Sequence, residues 1–289
     1  MTGHVDRLRT LLAPSAGLTS VPGCWDGLSA LLIEQAGFDA AFVSGGAVSM
    51  ARLGRPDMGL VTASEAIETV AVIRDRVALP LIADGDTGFG NAVNLQRTVR
   101  GFERAGASAI QIEDQGFPKR CGHMAGKTVV PLAEAVGRIA AALDARCDML
   151  VIARTDALTI EGATAAMGRA EAYLDAGADL IFIEGPRSMA ELADVAVQFA
   201  GRVPLVHNLV EGGVSPTDDG TTLAALGFRV ALHPLMLVHG LVKAAPRWLA
   251  RLKAERTTQG FAYELATLHD MNALTGAADL IRTGNAYGG

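Results

Sequence analysis

One phrase recurs along this chain: a helical stretch, then Ala-Gly or Leu-Gly, then a burst of β-branched and apolar residues that stops on a charged or small polar one. It reads AGFDAAFVSGG at 36–46, AGASAIQIED at 105–114, AGADLIFIEG at 176–185 and LGFRVALHP at 226–234. Each glycine suits the left-handed residue just past a helix C-terminus, and each burst suits a strand buried on both faces. Repetition of one αβ step restricts the fold more than any other feature of the sequence. Further bursts are LPLIADGD at 79–86, CDMLVIARTD at 147–156, RVPLVHNL at 202–209 and the short VPGCWD at 21–26. Together they make about eight strands separated by helical text, which predicts a closed (β/α)8 barrel. The open doubly wound sheet is disfavoured because no G-x-G-x-x-G turn follows the first strand.

A length of 289 residues suits one such barrel. The expected organisation is a single barrel domain over 1–289, in which the text from about 258 onward (FAYELATLHDMNALTG, then a Gly-rich tail) adds one helix and a frayed terminus. The net charge of −6, from 25 Lys+Arg against 31 Asp+Glu, argues against nucleic acid as a partner. Cys24, Cys121 and Cys147 are an odd number without metal-ligand spacing, which speaks against a disulfide framework or structural zinc site. No apolar run approaches the roughly 18 residues of a membrane span, and the start lacks a targeting pattern. These features predict a soluble cytoplasmic protein with no membrane partner.

In a barrel, residues at strand C-termini converge on one site. Here they are Trp25, Asp26, Ser44, Gly45, Gly46, Asp84, Asp86, Glu113, Asp114, Arg154, Asp156, Glu184, Asn208, Glu211 and His233. So many carboxylates suit a hard divalent cation. Asp84 and Asp86, in ADGDTGFG, are the sharpest pair; the competing reading is a polar turn that caps the next helix. Two long connections, 46–64 and 115–131, follow strand C-termini, and one is expected to cover the site. The second holds Lys119-Arg120-Cys121-Gly122-His123, a cationic setting that lowers a thiol's pKa and favours a reactive over an inert cysteine. Arg154 suits a substrate carboxylate or developing oxyanion, with neutralisation of Glu113 or Glu184 as the structural alternative. His233 reads as a packed strand-end histidine.

The ordered set SGG at 44–46, D-x-D-T-G-F-G at 84–90, IEDQ at 112–115, KRCGH at 119–123, ARTD at 153–156 and N-x-x-E-G-G at 208–213 resembles the isocitrate lyase/phosphoenolpyruvate mutase superfamily, from about Val21 to near Lys253. The resemblance implies a (β/α)8 barrel, α-hydroxy or α-keto carboxylate substrates, Mg2+ with Mn2+ as a substitute, and a homotetramer that exchanges its C-terminal helix between subunits. It implies that Asp84 and Asp86 form the metal centre, with Asp57 and Glu113 supporting the metal's waters. Ser44, Gly45 and Gly46 would hold a carboxylate, Arg154 the 2-oxygen, and Glu184 and Asn208 would complete the polar wall, with Trp25 and Gly122 also touching substrate. Lys119 to His123 matches the mobile loop of the lyase branch, with Cys121 as the acid/base and Lys119 and His123 beside it.

That loop separates the chain from the phosphonate-forming mutases. It points to a Mg2+-dependent carbon–carbon lyase of the 2-methylisocitrate, dimethylmalate or petal-death-protein type, giving pyruvate by retro-aldol cleavage. Phe42 stands where some lyases of the family carry a tyrosine, and a phenyl ring takes no proton. The rivals are a phosphonopyruvate or carboxyphosphonate phosphorylmutase and an oxaloacetate hydrolase or decarboxylase; changes near Ser215 shift activity in the latter direction. A non-enzymatic barrel is disfavoured by the joint presence of the carboxylates, Cys121 and Arg154.

Overall fold

The computed structural model describes residues 3–122, 124 and 126–288. Eight strands, β1 (Thr19–Cys24), β2 (Ala41–Val43), β3 (Leu81–Asp84), β4 (Ala109–Glu113), β5 (Leu150–Thr155), β6 (Leu180–Ile183), β7 (Leu205–Asn208) and β8 (Val230–His233), form a closed barrel in sequence order. All neighbouring pairs are parallel, and β8 returns to β1 with Thr19 opposite Val230. This is the expected (β/α)8 architecture, and each predicted burst contains its strand except the first, where β1 begins at Thr19, ahead of the expected 21–26.

The helices are α1 (His4–Leu11), α2 (Gly27–Gln35), α3 (Gly45–Val48), α4 (Ala63–Arg76), α5 (Ala92–Ala105), α6 (Leu132–Ala145), α7 (Ala163–Asp175), α8 (Met189–Phe199), α9 (Gly220–Ala225), α10 (Met236–Glu255), α11 (Leu268–Thr275) and α12 (Ala277–Ala286). Local chemistry sets their starts. Asp26 and Thr62 close capping boxes on α2 and α4, and Asn91 accepts from Asn94 N–H on α5.

Because side chains alternate across a strand, each strand sends one set of residues into the barrel and the other toward the helices. The inner set includes Phe42, Ile82, Ala109, Ile152, Phe182, Val206 and Leu232. Leu8 and Leu12 join it from the N-terminal segment, where His4 Nδ1 meets Ser108 Oγ at 2.9 Å and Arg7 donates to the Ala78 carbonyl, so α1 closes the end of the barrel opposite the strand C-termini. The outer set packs with Ile73, Val99, Phe102, Ile139, Tyr173, Leu192 and Phe199 of the helices. Among the described residues, no helix is long and apolar enough to cross a membrane.

The chain divides into two compact units, Met1–Leu237 and Val238–Gly289. In the second, Phe261 is buried with the Arg251 guanidinium 4.6 Å from its ring centre, and Trp248 Nε1 donates to Glu264 at 2.9 Å. One helix and a frayed tail were expected here; the structure instead has a 3-10 turn (Gln259–Glu264) and two helices, the last reaching Ala286. The reason is local. Thr267 and Asp270 form a capping box that restarts the helix, and Gly276, at φ 80°, ends α11 in the left-handed conformation before α12 begins.

Candidate active site

The inner alternation continues to the strand C-termini and changes from apolar to polar there. Phe42 is followed two residues on by Ser44, Ile82 by Asp84, Ala109 by Gln111 and Glu113, Ile152 by Arg154, Phe182 by Glu184, and Val206 by Asn208. The same period that fills the barrel therefore builds a polar layer at its mouth. The register sets Glu113 opposite Arg154 and Asp84 opposite Gln111.

A cavity of about 50 Å³ lies on this layer, lined among others by Phe42, Ser44, Gly46, Asp57, Asp84, Gln111, Glu113, Lys119, Cys121, Gly122, Arg154 and Asn208. Most of the expected site residues thus meet in one place, contributed by five strands and both long loops. Asp86 and Gly45 lie beside Asp84 in a smaller adjoining cavity, and Glu184 stands behind Asn208, accepting from its Nδ2 at 2.8 Å. Trp25 does not line the cavity; it packs against the helix-side core and its N–H donates to Ser29 Oγ. His123 lies outside the described residues.

Arg154 is the electrostatic centre. Its Nε and Nη2 donate to the two oxygens of Asp156 at 2.9 and 3.1 Å, with Glu113 at 3.4 Å and Glu184 at 3.5 Å. Its structural role therefore falls chiefly on Asp156, which the sequence-based alternative did not name, and its guanidinium still borders the cavity, 5.1 Å from the Phe182 ring centre. Burial alone would raise the Asp156 carboxyl, but Arg154 and Lys127 outweigh it and depress it to about 2. The native state therefore binds fewer protons at this group than the unfolded chain, whose carboxyl titrates near the ordinary ~3.9. The stability this contributes, on the order of 2 kcal/mol, is fully present above about pH 4 and is lost as pH falls through about 2. Urea midpoints of the parent and Asp156→Asn, compared from pH 5 to pH 2, are expected to converge toward the acid end.

Lys119 is only 4% exposed; its Nζ lies 2.6 Å from Asp86 Oδ1 and also pairs with Asp57. Burial would favour the neutral amine, but Asp86, Asp57, Asp84 and Glu113 together hold it charged. Burial pushes Asp86 up to about 7 despite the lysine, and Glu113 well above the usual carboxylate range. Lys119 thus bridges Asp57, in the first long loop, and Asp86, in the turn after β3, both of which the sequence suggested as metal residues.

The donor set fits a hard divalent cation. It is all oxygen, and Glu113 Oε1 and Gln111 Oε1 are buried without a hydrogen-bond partner. Among the described residues, no three His, Cys, Asp or Glu side chains converge into a ready-made cage. That agrees with the habit of Mg2+, which takes one or two carboxylates and fills its other positions with water or substrate.

At β2, Ser44 Oγ accepts from Ala47 N–H at 3.2 Å and caps α3, so the Gly45 and Gly46 amides belong to a first helical turn, where N–H groups have no intrahelical acceptor. From the loop, Cys121 N–H donates to the Asp57 carbonyl at 3.1 Å, and Gly122 lies directly on the polar layer. A Cβ on residue 122 would come within 2.5 Å of Arg154 Nη2 and 2.8 Å of Glu184 Cγ. Gly122→Ala must therefore lift the loop from Arg154. A fall in turnover of about a hundredfold is expected from misplacement on the ångström scale, with the melting temperature nearly unchanged, measured by steady-state kinetics and calorimetry.

Two residues of this site were not singled out from the sequence. Gln111 is hidden inside an apolar burst, although the period-2 phase from Ala109 to Glu113 places it on the inner face. Lys127 closes the CGHMAGK segment and pairs with Asp156 at 2.7 Å. Conversely, Asp114 is one residue out of phase with Glu113 and points outward, accepting from Thr155 Oγ1, the Asp156 N–H and Tyr173 OH. Asp26 serves as the cap of α2, and Glu211 and His233 border a separate groove beyond β7 and β8.

A closed parallel barrel with carboxylates, a guanidinium and a loop cysteine at its strand C-termini is the arrangement of the PEP mutase/isocitrate lyase superfamily. The chain belongs to the phosphoenolpyruvate phosphomutase family, whose sequence profile matches residues 8–251. It is 40% identical over 272 residues to 2,3-dimethylmalate lyase of Eubacterium barkeri, covering 93% of each chain. It is also 40% identical over 260 residues to 2-methylisocitrate lyase of Aeropyrum pernix, covering 89% of this chain and 83% of that one. The crystal structure of a phosphonopyruvate hydrolase complexed with oxalate and Mg2+ superposes with a TM-score of 0.89 at 32% identity, over 99% of both chains.

Proposed function

We propose that this chain is a Mg2+-dependent carbon–carbon lyase that cleaves a 2-hydroxy di- or tricarboxylate, of the 2-alkylmalate or 2-methylisocitrate type, into pyruvate and a carboxylic acid. The observation that carries this reading is that Cys121 and Arg154 face one cavity together with Ser44, Asp84 and Glu113. Similarity to the two lyases supports it.

Ser44 and the amides of Gly45 and Gly46 bind the carboxylate that becomes that of pyruvate, and Arg154 donates to the 2-oxygen. Glu184 orients Asn208 for the rest of the polar wall. Asp84 and Asp86 would hold Mg2+, with Asp57 and Glu113 supporting its water shell; the ion would supply Lewis-acid stabilisation of the developing negative charge, and Mn2+ would substitute for it. As the hydroxyl gives its proton to solvent and the C2–C3 bond breaks, the C2–O bond becomes the carbonyl of pyruvate, the bonding pair passes to C3, and the Cys121 thiol delivers a proton there. Lys119, two residues before Cys121, brings positive charge into this part of the site, and His123 is assigned to the catalytic loop on its sequence position alone. Exposed Leu268, Leu280 and Ile281 on the C-terminal helices support a homotetramer that exchanges this extension from about residue 258.

A second reading, hydrolysis of oxaloacetate, is supported by likeness to a solved oxaloacetate acetylhydrolase, at 33% identity and a TM-score of 0.92. Ser215 donates to the Thr217 carbonyl at 2.7 Å and so accepts from His207 Nε2 at 2.8 Å, in the separate groove that Glu211 and His233 border. Oxalate and acetate as products would identify it.

The metal and carboxylate pocket is testable without turnover. Mg2+ with oxalate, at concentrations about a hundredfold above the dissociation constant, is expected to raise the melting temperature by about 5 °C. Asp84→Ala should abolish that shift; a parent protein indifferent to the pair would contradict the proposed pocket.

A further inference from the structure

Lys127, the last residue of CGHMAGK (121–127), has a side chain only 4% exposed and donates in two directions, to the Gly122 carbonyl at 2.6 Å and to Asp156 Oδ1 at 2.7 Å. Asp156, fully buried, is held charged by Arg154, which gives it two N–H bonds, and by Lys127 beside it. The bond to Gly122 has no such electrostatic necessity. Its effect is to tie the peptide that follows Cys121 to the carboxylate that orients Arg154. Gly122 has no free space against Arg154 and Glu184, and the cavity beneath, about 50 Å³, is smaller than the few hundred Å³ typical of organic-ligand sites. Admission of any dicarboxylate therefore requires the Gly122 backbone to leave Arg154, and Lys127 resists this together with the Cys121 N–H bond to the Asp57 carbonyl.

We propose that Lys127 is a positioning residue: its ammonium, shared between Gly122 and Asp156, tethers the Cys121–Gly122 peptide over Arg154, so that thiol and guanidinium are brought into register together. The tether does not depend on which carboxylate is cleaved; only its effect on turnover rests on the lyase reading.

The test uses the full-length protein carrying Cys147→Ser, which removes an exposed thiol at the opposite end of β5, while Cys24 is fully buried. The rate of Cys121 alkylation by iodoacetamide is measured without ligand. Lys127→Met is expected to raise it about tenfold by easing local release of the tethered peptide, and Lys127→Gln by less. Both variants should still unfold cooperatively, because Asp156 keeps its two bonds from Arg154. Alkylation within about twofold of the parent in both, or loss of the native circular dichroism signal in both, would overturn the proposal in favour of a purely structural lysine. With an accepted substrate, Lys127→Met should lower kcat more than it raises KM. If the parent cleaves no 2-hydroxy carboxylate, the lyase reading fails, while the alkylation rates still decide the tether.

Discussion

Replacing Cys121 by serine is expected to lower pyruvate formation by about 10²–10⁴-fold, the range in which a positioned proton donor contributes. A hydroxyl is a far weaker acid than a thiol, so the carbon released from the broken bond goes unprotonated on the time scale of turnover. The substitution removes little else. The backbone N–H of residue 121 still donates to Asp57, Gly122 still rests on Arg154, and the carboxylates keep Lys119. Mg2+ and oxalate should therefore bind to Cys121→Ser almost as to the parent, by calorimetry. Turnover within about tenfold of the parent would remove Cys121 from the proton-transfer step.

The second large effect is expected at Arg154, where stability and chemistry can be separated by the choice of substitution. Arg154→Met leaves Asp156, Glu113 and Glu184 buried without their shared cation, and breaking such a pair from one side costs about 3–5 kcal/mol. Urea unfolding should register that loss. Arg154→Lys keeps the charge but not the planar fork that serves Asp156 and the cavity together. It is expected to stay folded and lose about 10²–10³ in kcat, the usual effect of removing one donor to a developing oxyanion. A lysine variant with parental kcat would mean that Arg154 only neutralises its neighbours.

The barrel was legible in the sequence because one physical requirement, burial of a parallel strand on both faces, repeats in every αβ step. The strand-end residues Ser44, Asp84, Glu113, Arg154, Glu184 and Asn208 were legible for a related reason: each is a polar inner-facing residue at the point where an apolar burst ends. Two residues are exceptions. Asp114 is one residue out of step with Glu113 and anchors Tyr173 and Arg169, while Trp25 keeps the inner parity of Val21 but lies past the end of β1, where the chain turns into α2, and packs on the helix-side core. Gln111 was in step but masked by its apolar neighbours. The Lys127–Asp156 contact joins residues 29 positions apart through an irregular loop, and no local pattern announces a pairing of that kind. At the C-terminus, helix-forming composition was read correctly, while the break at Gly276 and the restart at Thr267 depend on caps that composition does not register.

The central claim is that this site releases pyruvate from a 2-hydroxy carboxylate by a step that needs both the metal and Cys121. The most direct measurement is pyruvate release in the presence of Mg2+ from 2-methylisocitrate, isocitrate, 2,3-dimethylmalate, 2-ethyl-3-methylmalate, oxaloacetate and phosphonopyruvate. Pyruvate from at least one malate or isocitrate, abolished by EDTA and by Cys121→Ser, is the predicted result. Pyruvate from oxaloacetate or phosphonopyruvate alone, undiminished in Cys121→Ser, would contradict it.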